Sequence, residues 1–268
     1  MTTVEKQLLS APRKYRYIGT VAIIVVLLFG WSLLTVSFKG MNATSLKIAG
    51  NFVKGIVHPD LQLLFNGTKQ SVPYLLLETV AIAFLGTIIG AILSVPLAFL
   101  AASNIVPKPV SWLTRLLLII IRTIPAIVYG LMFIRVTGMG PFAGVMTIAI
   151  TSIGMLAKLY VDAIEELDTK VLESMTSIGC TTFEKIRYGI FPQLLSVFLS
   201  VTIYRFDMNM REAAILGLVG AGGIGAPLIY AMQSYKWHQV GSILIGLVVL
   251  ILLIEWISTK LRTKLIKG

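Results

Sequence analysis

Residues 79–107 read TVAIAFLGTIIGAILSVPLAFLAASNIVP, a run without one charged side chain. A helix crossing the ~30 Å hydrocarbon core of a bilayer needs about 20 predominantly apolar residues, so this segment is long enough to span. Further uncharged stretches follow the same pattern: Tyr17–Phe38, Val136–Ala157, Ala213–Tyr235 and Trp237–Ile254. Of the 268 residues, 56% are hydrophobic and 13% charged, against roughly 45–50% and about 25% in a soluble domain. Disorder is excluded, because it needs low hydrophobicity. A disulfide scaffold is excluded because Cys180 is the single cysteine. The fold class is all-α, a polytopic helical membrane protein.

Six spans are placed at 18–37, 76–102, 112–135, 141–161, 194–218 and 239–258. The net charge of +11 would point to nucleic acid in a soluble protein. In a membrane protein, basic residues instead mark the cytoplasmic loops. With both termini inside, the cytoplasmic parts are 1–17, 103–111, 162–193 and 259–268. They hold Lys6, Arg13, Lys14, Arg16, Lys108, Lys170, Lys185, Arg187, Lys260, Arg262, Lys264 and Lys267. The outer side receives only Lys39, Lys47, Lys54, Lys69 and Lys236. Arg115 and Lys158, near cytoplasmic helix ends, can snorkel to the inner side. The first apolar run is longer than a signal-peptide core and is read as a retained helix. The segment Ala213–Tyr235 could be a seventh span, but it carries Gly217, Gly220, Gly222, Gly223, Gly225 and Pro227. A helix ending near residue 218 and a glycine loop on the outer side fit that composition better.

Nothing in the chain spells a phosphate-binding G-x-x-x-x-G-K-[ST] loop, so nucleotide hydrolysis by that route is excluded. His58 and His238 lack a second His or Cys at ligand spacing, and no metal site is expected. The string Gly220-Ala-Gly-Gly-Ile-Gly225 satisfies G-x-G-x-x-G, yet it follows a membrane span and no acidic residue occurs between Glu212 and Glu255. A dinucleotide site would need a preceding strand and an acidic residue about 20 positions on, so that reading is rejected. The glycines suit a tight turn or a close approach of backbones.

Two constellations remain. Asp162–Pro192 begins acidic, with Asp162, Glu165, Glu166 and Asp168, and then shows helical periodicity through Leu167, Val171, Met175 and Ile178. Gly179 fits the break after that helix. Thr181 and Glu184 have capping-box spacing for a second helix with Phe183, Ile186 and Ile190 on one face. Pro192 suits the first turn of the next span. The second constellation lies inside a span, where Arg205, Asp207, Arg211 and Glu212 occur within eight residues. Each charge at a bilayer centre costs ~2.5–3.5 kcal/mol on insertion scales, so the four must pair or face water. Asp207 and Arg211 are i, i+4 and can pair; Arg205 and Glu212 are two turns apart and are expected not to satisfy each other fully. With Arg122 in the third span, these charges read either as structural ion pairs or as a polar pathway biased positive, suited to an anion.

The first constellation, Glu173-Ser-Met-x3-Gly179-x9-Gly-Ile-Phe-Pro192, resembles the E-A-A-x3-G-x9-I-x-L-P loop of ABC importer permeases. Ser174 and Met175 replace its two alanines, Gly189 its isoleucine and Phe191 its leucine. The second, YRFDMNMREAAILGLVGAGGIG over 204–225, resembles the signature of phosphonate ABC transporter permeases. Glu78-Thr79, Pro96-Leu-Ala98 with Asn104, Arg122-Thr-Ile-Pro125 and Gly138-x-Gly-Pro141-Phe-Ala-Gly144 add to the resemblance.

The resemblance implies a type I ABC importer (MetI-like) permease fold over 75–258, with coupling loop 162–192. Residues 1–74 are left as a cytoplasmic tail, first helix and exterior loop, and 259–268 as a basic cytoplasmic tail. It implies a multi-pass protein of the bacterial cytoplasmic membrane, a homodimer without catalytic residues or cofactor of its own. Its partners would be two ATPase subunits that bind the ATP and an extracytoplasmic phosphonate-binding protein, with no role for nucleic acid. Coupling falls to Glu165, Glu166, Glu173, Gly179, Thr181, Glu184 and Pro192. The translocation pathway falls to Arg122, Arg205, Asp207, Asn209, Arg211 and Glu212, and an outer gate to Gly220, Gly222, Gly223 and Gly225. The implied cargo is phosphonate or a related phosphorus oxyanion. Alternatives are another importer substrate such as an amino acid, an ion-coupled secondary carrier, or a membrane anchor.

Overall fold

A computed structural model describes residues 15–35, 43–65, 68, 71–167 and 169–267. Every regular element among them is helical. The chain divides into two units, residues 1–50 and 51–268. The first holds α1 (Tyr15–Thr35) and the start of α2 (Ala43–Val57). At 21 residues, α1 is about 31 Å long, the thickness of a bilayer core. Its apolar side chains, among them Leu27 and Trp31, are exposed.

The second unit is a bundle built on α4 (Val72–Ala101) and α7 (Pro141–Glu165). Lipid tails are as apolar as leucine, so membrane helices associate through close packing rather than hydrophobic burial. Accordingly the buried side of α4 is small: Ala83, Gly86, Thr87, Gly90, Ser94, Ala98 and Ala101. A Cβ on Gly90 would lie 2.6 Å from the Ser152 Cβ and 2.9 Å from the Ala149 carbonyl oxygen of α7. Against this pair lie α5 (Lys108–Thr123), α6 (Ala126–Thr137), α9 (Thr182–Leu218) and α11 (Trp237–Lys267). Tyr160 of α7 stacks on Phe198 of α9, ring centroids 4.2 Å apart, and its hydroxyl meets the Thr202 hydroxyl at 2.6 Å.

Three features differ from the sequence reading. The third span is not one helix: α5 and α6 are bent by 84°. Ile124 is extended (φ −85°, ψ 123°), as a residue before proline tends to be. The segment read as an exterior loop contains α2 and α3 (Leu61–Phe65). Asp60 caps α3, accepting from the Gln62 N–H at 3.1 Å, and Phe52 packs edge-on against Trp237 at 6.1 Å. Finally, the helix that carries the fifth span does not start at 194. It is continuous with the coupling segment as Thr182–Leu218, with a π-helical turn at Lys185–Ile190.

The glycine segment after α9 does not cross. Gly220, Gly222 and Gly223 have φ of +98°, +83° and +72°, and the turn leads into α10 (Gly225–Gln233). Nine residues reach only about 13 Å, too short to span.

Candidate functional site

The charges of α9 are paired more fully than their spacing suggested. Arg205 extends over two turns and grips Glu212 with both terminal nitrogens, 3.1 Å to Oε1 and 3.0 Å to Oε2. The expectation that neither would fully satisfy the other is therefore corrected: a guanidinium on a long stem covers the rise of seven residues, about 10.5 Å less the reach of both side chains. Arg205 is buried, and its Nε also donates to the Ser152 hydroxyl at 3.3 Å. Arg211 pairs with Asp207 at 3.2 Å and with Glu255 of α11 at 3.4 Å. Glu255 was missed in the sequence, although it directly ends the uncharged run of α11. It cancels the expected positive bias: counting Arg122, three guanidiniums now stand against three carboxylates.

Asn209 is fully buried between three helices. Its amide donates to the Thr87 hydroxyl of α4 at 2.7 Å and to the Ser152 hydroxyl of α7 at 2.8 Å. Arg205, Ser152, Asn209 and Thr87 thus form one polar seam through the bundle. In an apolar surround such a seam favours one helix register, because a slip leaves further polar groups unpaired beside Asn209 Oδ1, which is buried without a partner among the described residues. Arg122 stands apart on the last turn of α5, exposed, its stem lying over Gly154.

The four glycines assigned to the gate are held in a clamp. The Gly223 N–H donates to Glu78 Oε1 at 3.0 Å and the Ile224 N–H to Thr79 Oγ1 at 2.9 Å. The Gly140 N–H donates to the Gly220 carbonyl at 3.0 Å. A Cβ on Gly222 would lie 2.7 Å from Pro141 Cα, and one on Gly225 2.6 Å from the Leu218 nitrogen. Glu78 and Thr79 thereby tie the turn to the head of α4.

At the other end of α9, α8 (Thr169–Ser177) and the first turns of α9 form a helical hairpin. Gly179 makes the break at φ +84°. Glu184 accepts from the Thr181 N–H at 2.7 Å, and its own N–H reaches Thr181 Oγ1 at 3.4 Å, closing the capping box. The hydrogen bonds from the Thr181 backbone and hydroxyl hold the Glu184 carboxyl below its ordinary pKa. Pro192 lies in the first turn after the π segment. Met175 and Gly189, two of the four departures from the loop pattern, explain each other. The Met175 sulfur occupies the space a Cβ on residue 189 would take, so a larger residue at one position meets a smaller one at the other. The expected apolar faces are only partly covered: Ile190 is 1% exposed, while Ile178 and Phe183 are 78% and 68% exposed. Glu173 and Glu166 are exposed, whereas Glu165 turns inward to the Ser103 N–H at 2.7 Å and to Arg115. Asp168 lies outside the described residues.

His58 and His238, distant in sequence, are brought together, but through the His58 carbonyl, 2.6 Å from His238 Nδ1. Among the described residues, no three His, Cys, Asp or Glu side chains are placed to hold a metal.

Residues 94–266 match the family described as binding-protein-dependent transport system inner membrane component. The chain belongs to that family. The permease is 30% identical over 92% of its length, and 89% of the relative's, to the phosphite transport system permease protein PtxC of Stutzerimonas stutzeri. It is 36% identical over 70% of its length to the phosphate-import permease protein PhnE of Mycolicibacterium smegmatis, of which it covers 36%. Among solved structures it resembles the inward-facing MetNI methionine ABC transporter, with TM-score 0.62 and 21% identity over 70% of this chain and 93% of that one. The permease is therefore a multi-pass, all-helical transport component rather than an enzyme. Its clamped turn and its hairpin sit at opposite ends of α9, with the polar seam between them.

Proposed function

We propose that this permease is the membrane subunit of an ATP-driven importer of phosphonate or a related phosphorus oxyanion. The observation that carries the reading is the match to a phosphite permease over nearly the whole of both chains. The importer works as a homodimer above two ATPase subunits and below an extracytoplasmic binding protein, with both termini in the cytoplasm.

The geometry supports a division of tasks. Ile178 and Phe183 are apolar, exposed and carried on a hairpin that supplies its own cap. They offer the ATPase a rigid helical knob of the kind that seats in a groove. Movement of that knob passes to the membrane without an intervening loop, because the hairpin continues into α9. Glu166, Glu173, Gly179, Thr181, Glu184 and Pro192 contribute by forming or flanking the knob, and Glu165 by anchoring its base to Ser103. Along the path, Arg205, Asp207, Asn209, Arg211 and Glu212 hold α4, α7, α9 and α11 in register, while Arg122 offers an uncompensated cation. When α9 and α11 tilt, Arg211 exchanges partners between Asp207 and Glu255 and stays paired, so no bare charge is created. At the outer end Gly220, Gly222, Gly223 and Gly225 close the path as a block rather than as a flexible flap.

The test is uptake of radiolabelled phosphite, phosphate and methylphosphonate into proteoliposomes containing the permease, its genomically adjacent ATPase and the binding protein. ATP-dependent accumulation of at least one is expected. It should fall at least tenfold with Phe183→Asp. Uptake driven by an ion gradient without the ATPase, or no uptake of any phosphorus oxyanion, would overturn the reading.

A further inference from the structure

A groove of about 260 Å³ runs between α5 and α7, lined by Arg115, Arg122, Lys158 and Asp162 with Leu118 and Ile119. Three cations face one carboxylate there. Arg115 is committed to Glu165, and its Nε donates to the Ala101 carbonyl at 3.0 Å. Lys158 reaches Asp162 at 3.5 Å, both largely exposed. Arg122 has neither a carboxylate nor a hydrogen-bond acceptor among the described residues.

Depth makes this consequential. Arg122 packs over Gly154, seven residues inside the end of the span read at 141–161 and so about 10 Å along its axis. A lone cation costs ~2.5–3.5 kcal/mol at the bilayer centre on insertion scales, and part of that cost falls on Arg122 unless water or an anion answers it. The local construction keeps the guanidinium in the groove. A Cβ on residue 154 would lie 2.6 Å from the Arg122 Cγ, so glycine there admits the stem. Buried Leu118 and Val161 form an apolar floor. Arg205 and Arg211 are poor candidates for the same task, since each already holds a carboxylate. A guanidinium with an ammonium nearby suits a compact tetrahedral oxyanion, which accepts hydrogen bonds in a fork from the first and a point charge from the second.

We propose that the α5–α7 groove binds a phosphorus oxyanion, with Arg122 as its principal contact and Lys158 as the flanking charge. Two sources share that chemistry: a free phosphite- or phosphate-type ion in transit, and the headgroup phosphate of an anionic lipid. The free-ion form rests on the importer reading; the lipid form does not.

The experiment uses the full-length permease in phosphatidylcholine nanodiscs, with two probes. One is phosphite, followed by broadening of its phosphorus NMR line. The other is phosphatidylglycerol, followed by its retention in native mass spectrometry. At least one probe should bind the wild type, bind Arg122→Gln about tenfold more weakly and recover most of its binding in Arg122→Lys. Lys158→Gln should weaken the same probe about threefold, and it serves as the second variant if Arg122→Gln does not fold. Loss confined to phosphite identifies an ion in transit; loss confined to phosphatidylglycerol identifies a lipid site; loss of both identifies one site open to either. Binding of neither probe to the wild type, or equal binding to wild type and both Gln variants, overturns the proposal. If wild-type complex imports no phosphorus oxyanion while phosphatidylglycerol retention still depends on Arg122, the importer reading fails and the site stands.

Discussion

The two ends of α9 solve the problem of stopping a membrane helix in opposite ways. At the glycine end the chain turns through Gly220–Gly223 under the grip of other elements, with backbone donors taken by Glu78 and Thr79 and backbone atoms pressed on Pro141. At the other end the hairpin is closed by its own residues: Gly179 for the break, Thr181 and Glu184 for the cap, Met175 against Gly189 for the fit. The first arrangement makes the turn part of the bundle. The second makes the hairpin a unit that can be pushed as a body. Under the proposed coupling to an ATPase this asymmetry matters, since a force delivered to a loose hairpin would be lost in local bending.

The sharpest way to break the comparison uses two glycines with nearly the same φ. Gly222 and Gly179 have φ of +83° and +84°, so alanine costs ~1–2 kcal/mol at either from the left-handed conformation alone. At Gly179 a Cβ meets nothing within 4 Å, and that is the whole expected loss. At Gly222 it meets Pro141 backbone at 2.7 Å, adding roughly 1–3 kcal/mol of overpacking. Thermal unfolding in detergent should show a clearly lower midpoint for Gly222→Ala than for Gly179→Ala. Equal losses would mean that the outer turn is not clamped.

Much of this was legible in the residues, for identifiable reasons. Span number followed from uncharged length, and the cap, the break and the end of α9 near 218 followed from local rules that involve few residues. The bend in the third span was not foreseen because hydropathy is blind to direction. Pro125 breaks its helix whereas Pro96 lies inside the continuous α4, so proline alone does not decide; the packing of α4 along α7 carries the chain past Pro96. Arg205 was misjudged because pair rules for helix surfaces stop at i+4, while its stem reaches i+7. Glu255 was missed because its partner is 44 residues away on another helix. The sequence of α2 reads as loop because a span needs length and hydrophobicity together, and its lysines, Lys47 and Lys54, break the run.

The hairpin's internal fit is a second way to sharpen the contrast, with a smaller expected effect. If Met175 and Gly189 compensate each other, restoring the pattern's residues singly must hurt. Gly189→Ile drives a side chain into the Met175 sulfur, and Met175→Ala leaves a void beside Gly189; each should destabilise the hairpin. The double variant should recover part of the loss, with a coupling of about 0.5–3 kcal/mol in a double-mutant cycle. Hydrogen exchange of amides 182–190 is the readout, because a local unit loosens there before the bundle melts. Additive losses would separate the two positions and with them the idea of a self-fitted knob.

The smallest effect tests the cap itself. The Glu184 carboxyl is held below its ordinary pKa by the Thr181 N–H and hydroxyl, so the folded hairpin binds this proton less readily than the unfolded chain. By linkage its contribution is fully present above the ordinary glutamate value of about 4.3. It is lost as pH falls below that value and through the lowered one. The Thr181 amide proton should therefore titrate in NMR with a midpoint below the ordinary glutamate range, and Glu184→Gln should abolish the titration without moving the bundle's melting point at neutral pH. A midpoint at or above that range would show that the carboxylate is not held by the cap in solution. The inner end of α9 would then rest on its partner for rigidity rather than bring rigidity to it.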